Sequence, residues 1–349
     1  MANIMMTDVC NLRCPYCFAN EFVNKDKNEI SFENFKKAAN FILGDGSTHT
    51  VGLIGGEPTI HSHFDEFVRY LIGDARVKKI IVYTNGICID QYWDVICHPK
   101  VCLLVNCNSP SDIGQKNYER LCRNLETLFC QKMQKEKVTL GINMYKPGFE
   151  YQYILDLLKK YNFHHVRVSI TVPNLSDTRN TDAWPYFYAM KPSVLEFFHK
   201  LFQNNIVPNF DCNKIPSCLV TAKEIAEFRP YLRNPEVMKY YRASNLSTPR
   251  VICSPVIDIT QDLKAVRCFG LSEYSKQNIE NFKTITDLRN FYTCNFDAYA
   301  FNTTYNKDCI GCYARKTLTC NGGCLAFKVN DIMKVQQFVN NLMEQHGEE

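Results

Sequence analysis

The chain has 349 residues, 40 of them basic and 36 acidic, giving a net charge of +4. That near balance makes no demand for nucleic acid or a membrane surface as partner, while leaving basic side chains for an anionic substrate. Eighteen cysteines are far above ordinary usage. Met1-Ala2-Asn3-Ile4-Met5-Met6 has no signal-peptide character and no apolar run is long enough to cross a bilayer, so metal ligation in a reducing, cytoplasmic setting explains the cysteines better than disulfides do.

In chain order, residues 3–9 read as a strand ending at Cys10-Asn11-Leu12-Arg13-Cys14-Pro15-Tyr16-Cys17-Phe18. Ser31 caps a helix with Phe35, Ala38, Ala39 and Ile42 at helical spacing, which Gly44 terminates. A strand at 51–54 leads into Gly55-Gly56-Glu57-Pro58, and Phe64, Phe67, Val68 and Leu71 mark a helix that His61 and His63 enter. The next strand, 79–83, ends at Thr84-Asn85-Gly86. There follow a helix near 89–96, a strand at 101–106, a charged helix at 116–134, a strand at 138–144, a helix facing inward through Ile154, Leu157, Leu158 and Tyr161, and a strand at 166–170. Six strands alternating with helices predict a parallel sheet with helices outside. Chemistry in such folds collects at the carboxyl ends of the strands, where the cysteine loop, the Gly-Gly-Glu-Pro turn, Thr84, Asn85, Asn106, Asn108 and Asn143 all fall.

Three thiolates in one short loop can hold an iron–sulfur cluster and leave one iron open to a further ligand, as an open coordination position separates catalytic from structural metal sites. A zinc site or buried thiols is the plainer reading, but zinc motifs favour paired C-x2-C knuckles. The C-x3-C-x2-C spacing followed by an aromatic resembles the radical S-adenosylmethionine (radical SAM) family. The resemblance implies a partial (β/α)6 barrel and a 4Fe-4S cluster on Cys10, Cys14 and Cys17. The open iron of that cluster would chelate S-adenosylmethionine (SAM), whose reductive cleavage gives a 5′-deoxyadenosyl radical. It further implies that Gly55, Gly56, Glu57 and Pro58 meet the amino group of SAM, that Thr84 and Asn85 lie beneath the nucleoside, that Phe18 meets the adenine, and that Asn106, Asn108 and Asn143 meet ribose or carboxylate. Tyr16 is expected to pack against the cluster.

From Cys253 onward a second constellation appears: Cys253, Cys268, Cys294, Cys309, Cys312, Cys320 and Cys324. It resembles the SPASM or twitch extension of radical SAM enzymes, which implies one or two auxiliary 4Fe-4S clusters, with Cys253, Cys268 and Cys324 on an inner one and Cys309, Cys312 and Cys320 on an outer one. A zinc ribbon is the bland alternative. Leu263 stands where the family commonly has glycine, and a final cysteine is missing. Cys294 is the first candidate to complete a set, with Cys212 or Cys218 behind it. The remaining cysteines read as buried small hydrophobes, Cys107 being weighed also as a hydrogen-atom donor. The domains expected are a barrel over 1–210, a helical linker over 211–250 and the auxiliary domain over 251–349.

These resemblances imply an enzyme that takes electrons from a flavodoxin or ferredoxin and modifies a peptide or protein side chain. Phe269 follows Cys268 where sulfatase-maturing relatives carry aspartate, which argues against formylglycine formation. The cysteine loop begins within ten residues of the start, so recognition of a leader peptide is expected to need a separate protein. The alternative within enzymes is a small-molecule dehydrogenase, epimerase or decarboxylase acting on a sugar, nucleoside or amino-acid derivative, with Trp184-Pro185-Tyr186-Phe187-Tyr188 lining its pocket or packing between domains. The alternative of another class is a non-catalytic iron–sulfur or zinc protein.

Overall fold

A computed structural model describes residues 2–346 apart from Phe18, residues 20–22, Lys25, residues 172–182, 211–214 and 242–252, Ser254, Glu273, residues 304–306 and Asn321. Phe18 and Cys212 therefore lie outside the described residues. One ten-stranded sheet organises the chain. Its strands are β1 (Ala2–Met5), β2 (Thr50–Ile54), β3 (Lys79–Thr84), β4 (Val101–Asn106), β5 (Val138–Met144), β6 (His165–Ile170), β7 (Val207–Phe210), β8 (Ile257–Ile259), β9 (Lys264–Val266) and β10 (Gln277–Asn278). The spatial order is β10-β9-β8-β1-β2-β3-β4-β5-β6-β7, with β1 to β7 parallel in chain order. This is the parallel α/β sheet of a partial barrel.

Side-chain alternation splits the sheet into two faces. Ile4, Leu53, Val82 and Leu103 lie in one register row and share a core with Phe35, Phe67 and Ile154 of the helices. The opposite face carries Asn106, Gly141, Arg167 and Asn209 in one row across β4 to β7.

Seven barrel strands, β1 to β7, stand among the described residues where six were expected. Residues 207–210 escape a pattern reading because Pro208 cannot donate to a ladder, and β7 sits at the sheet edge where that is tolerated. The first strand stops at Met5 rather than residue 9, since Thr7 turns to bridge Glu29. Ser31 caps the helix Phe32–Leu43 as its hydroxyl accepts from the Asn34 N–H, but Gly44 is right-handed and Gly46, at φ 68°, makes the turn. The charged helix ends at Glu126 and widens into a π turn over Thr127–Gln131. The region near 89–96 breaks into two short turns, Ile89–Gln91 and Trp93–Ile96. His61 is buried against the Ile30 carbonyl, a structural position. Tyr186 and Phe187 pack on Phe327 at 5.9 and 5.5 Å, so that stretch joins the barrel to the C-terminal part.

The C-terminal part continues the barrel's own sheet. β8 pairs parallel with β1, and β9 and β10 follow antiparallel. The β8–β9 connection closes through Leu263 N–H to Thr260 O and Thr260 N–H to Lys264 O, with Leu263 at φ 61°. That is the hairpin position where a left-handed residue is required and glycine is free of strain. Leu263 holds it while burying its side chain.

At the β1–β8 seam Asn3 donates to Asp258 at 2.6 Å, both buried, and Gly52 leaves the room that the Asn3 amide occupies. Burial pushes the Asp258 carboxyl up to about 7, against hydrogen bonds from Asn3 and the Phe269 N–H. An unfolded aspartate titrates near 4, so between about pH 4 and 7 the folded chain holds the extra proton and stability falls as pH rises. Asp258→Asn is expected to flatten this slope and to be more stable than wild type by roughly 2–4 kcal/mol at pH 8. Melting temperatures taken between pH 5 and 8 check it; parallel profiles for the two proteins contradict it.

Candidate active site

The cysteine loop leaves the carboxyl end of β1. Cys10, Cys14 and Cys17 are free thiols, each part-buried. Leu12 anchors the loop in a small apolar cluster with Ile87, Cys88 and Ile113. Cys10 N–H donates to Asn24 Oδ1 at 3.0 Å, and Cys17 N–H to Cys14 O at 3.1 Å. Burial pushes Cys10 up to about 11, with Glu57 and Cys17 adding to it. Cys14 rises to about 12, first by burial and then through Cys10 and Cys17. Burial raises Cys17 as well, and Arg13 offsets it only in part. Three thiols that oppose one another's ionisation become good ligands when a cationic centre replaces their protons. This donor set fits three corners of an iron–sulfur cluster.

The Gly-Gly-Glu-Pro turn is fastened to the stretch that leads into this loop. Gly56 N–H donates to Thr7 O at 2.7 Å and Glu57 N–H to Val9 O at 2.8 Å. A Cβ on Gly55 or Gly56 would collide with the Thr7 or Val9 backbone, so both positions require glycine. The Glu57 side chain is held within the protein. Its carboxylate is 1% exposed and accepts from Thr59 N–H, the Thr59 hydroxyl, the Thr84 hydroxyl and Asn85 N–H at 2.6–3.1 Å. Burial raises its pKa while these four donors pull it back. Pro58 opens the short turn Pro58–Ile60 that Glu57 caps.

Thr84 and Asn85 are thus tied to Glu57, and Asn85 extends the chain of contacts. Its Nδ2 donates to Asn11 Oδ1 at 2.7 Å, and Asn11 Nδ2 reaches the Cys88 sulfur at 3.5 Å. The cysteine loop, the Gly-Gly-Glu-Pro turn and the Thr-Asn-Gly turn form one hydrogen-bonded unit. Asn11 is a residue the sequence reading passed over; a polar side chain between two ligand cysteines was the available signal.

Arg167 was also missed. Its guanidinium donates to Asn143 Oδ1 at 2.6 Å and Asn106 Oδ1 at 3.4 Å. Gly141, next to it in register, leaves the path its side chain takes: a Cβ there would lie 3.0 Å from Arg167 Cδ. Tyr16 hydrogen-bonds with Asn143 and Cys14, and burial pushes its hydroxyl up; its ring rests on Tyr145 at 5.1 Å. Asn108 is buried, with its Oδ1 unpartnered among the described residues. Cys107 is buried, its thiol pushed up to about 12 by burial, and its sulfur faces the Val105 carbonyl. Its burial, rather than its protonation, makes this thiol a poor candidate for a hydrogen-atom donor.

In the C-terminal part, Cys253, Cys268 and Cys324 border one small apolar cluster built on Leu271, Phe296, Leu325 and Ala326. Cys309 and Cys312 share a turn, Cys312 N–H donating to Cys309 O, and the Cys320 sulfur accepts from Gly322 N–H at 3.3 Å. Cys294, the first choice to complete a set, and Cys218 are both exposed, Cys294 on the turn Thr293–Asp297. Cys218 is the one that lies near the outer group: burial and then the charges of Cys309, Cys320 and Cys312 raise its thiol. Among the described residues no three His, Cys, Asp or Glu side chains gather tightly enough for a single metal ion.

Residues 4–159 match the family model of the Radical SAM superfamily. The chain carries a radical SAM domain, the domain of a family of enzymes whose cofactors are a 4Fe-4S cluster and SAM. It is similar to GTP 3′,8-cyclase of Synechocystis sp., 32% identical over 131 residues, 35% of this chain and 39% of that protein. It is similar also to 7,8-dihydro-6-hydroxymethylpterin dimethyltransferase of Methanocaldococcus jannaschii, 36% identical over 88 residues, 25% of this chain and 17% of that one. The chain thus spans well under half the length of these curated relatives. In fold it resembles Streptococcus suis SuiB bound to S-adenosylmethionine, with a TM-score of 0.59 at 17% identity over 94% of this chain and 73% of that one. For SuiB bound to its precursor peptide SuiA the TM-score is 0.54 at 17% identity, covering 94% and 72%. No helix among the described residues is long and apolar enough to cross a membrane.

Proposed function

We propose that this chain is a radical SAM enzyme that cleaves SAM reductively and abstracts a hydrogen atom from a peptide substrate. The observation that carries the reading is the three-cysteine loop, held through Asn11, Asn85 and Glu57 to both turns at the carboxyl ends of β2 and β3. Cys10, Cys14 and Cys17 would hold the cluster, and SAM bound there supplies the 5′-deoxyadenosyl radical when an external donor such as flavodoxin or ferredoxin delivers one electron. Asn108, with its unpartnered oxygen, and the Arg167 cation, reaching toward Asn106 and Asn143, offer an acceptor and a positive charge for the polar groups of the bound ligands. Cys253, Cys268 and Cys324 would hold an inner auxiliary cluster. Cys309, Cys312 and Cys320 would hold an outer one, with Cys218 preferred to Cys294 as its fourth thiolate.

The peptide class rests on the likeness to SuiB, which runs through the C-terminal part as well as the barrel. A small-molecule reading has its own support: the GTP 3′,8-cyclase relatives act on a nucleotide, and Arg167 lies on the open face of the sheet. The experiment supplies reconstituted, reduced protein with SAM and synthetic peptides translated from any short open reading frames beside its gene, with a nucleotide in parallel, then weighs the peptides. Loss of two hydrogens, with deuterium passing from labelled peptide into 5′-deoxyadenosine, is expected. An unchanged peptide alongside label transfer from a nucleotide decides for the alternative.

A further inference from the structure

Arg267 follows β9 directly and is 1% exposed. Its Nε donates to Asp297 Oδ1 at 2.5 Å and its Nη2 to Cys253 O at 2.9 Å. Its remaining arm, Nη1, points at sulfur: 3.4 Å from Cys253 Sγ and 4.0 Å from Cys268 Sγ. Neutral thiols are weak acceptors, and a buried cation spends its donors better on anions. Two further cations crowd the same region. Arg315 donates to the carbonyls of Ala300, Phe301 and Thr303. Lys328 reaches the Ala300 carbonyl, and its Nζ would lie 2.7 Å from a Cβ on Gly322, inside the Cys320–Cys324 turn.

We propose that Arg267 is the buried counter-charge and sulfur hydrogen-bond donor of the inner C-terminal metal centre, raising its reduction potential so that the centre accepts an electron rather than serving as inert structure. The inference rests on the reading that Cys253 and Cys268 are ligands of one cluster. A fixed positive charge and N–H bonds to sulfur both stabilise the more negative, reduced state. Asp297 works in the opposite sense, since its carboxylate cancels part of the Arg267 charge.

The pair therefore predicts shifts of opposite sign. In full-length protein with Cys10, Cys14 and Cys17 replaced by alanine, the only iron is C-terminal, and its midpoint potential is read by spectroscopically monitored redox titration. Arg267→Gln is expected to lower the equilibrium constant for one-electron reduction at least tenfold, about 59 mV. Asp297→Asn is expected to raise the potential, and Arg267→Lys to fall between wild type and Arg267→Gln. Should Arg267→Gln fail to fold because Asp297 is left buried and unpaired, Asp297→Asn and Arg267→Lys carry the test. Iron retained with unmoved potentials in these variants overturns the role of Arg267. No iron in the background protein overturns the auxiliary cluster itself, a separate outcome.

Discussion

Replacing Cys10, Cys14 and Cys17 together with alanine is expected to drop reductive cleavage of SAM to background and to remove about four irons per chain. The effect is total because the three thiols act as a unit: each is part-buried on one short loop and each feels its neighbours. A cluster lacking its thiolates is not assembled, so no partial activity survives. The loop loses the Leu12 N–H bond to the Cys10 sulfur but keeps the Leu12 side chain in its apolar cluster and Cys10 N–H on Asn24, so the fold should persist. Iron and sulfide analysis beside circular dichroism separates loss of the centre from loss of structure. Cleavage retained at a tenth of wild type or more contradicts the assignment of these ligands.

Glu57→Ala is expected to be the most disruptive single change at the site. It strips the acceptor from four donors in a space closed to water, and each buried donor left unmade costs about 1–3 kcal/mol. Taken together, with relaxation, a loss on the order of 3–5 kcal/mol follows, about a 4–7 °C fall in melting temperature for a chain of this length. Glu57→Gln keeps the shape but turns an N–H2 group toward donors. Whichever oxygen position that group takes, it meets a backbone N–H that cannot accept, because Thr59 N–H donates to Oε1 and Asn85 N–H to Oε2. About 1–3 kcal/mol is expected for the glutamine variant. Both changes loosen Asn85, and through it Asn11 and the cysteine loop, so affinity for SAM should fall along with stability. Thermal melts and SAM titrations check the pairing; a Glu57→Ala protein as stable as wild type contradicts the buried network.

The barrel was legible because its strands are short apolar runs closed by turns, and six of the seven strands β1 to β7 announce themselves that way. Strand β7 did not, since Pro208 on an edge reads as a breaker. The site residues were legible as positions but not always as roles. Gly55, Gly56 and Glu57 read as ligand contacts; that they also weld the turns to the cysteine loop depends on pairings to Thr7, Val9, Thr84 and Asn85 that no local pattern reveals. Leu263 looked like a departure from the auxiliary-domain pattern, yet its backbone keeps the left-handed turn that a glycine would serve. Arg167 and Arg267 lay outside reach for one shared reason: each acquires meaning from partners that only the fold brings to it, Asn106 and Asn143 for the first, Cys253 and Asp297 for the second.

The central claim is that this loop and its two turns bind and cleave SAM. It is tested most directly by incubating the reconstituted protein with SAM and a strong one-electron reductant, without substrate, and measuring 5′-deoxyadenosine. Slow formation that depends on the reductant is the predicted result. SAM left intact by protein carrying its full complement of iron would contradict it.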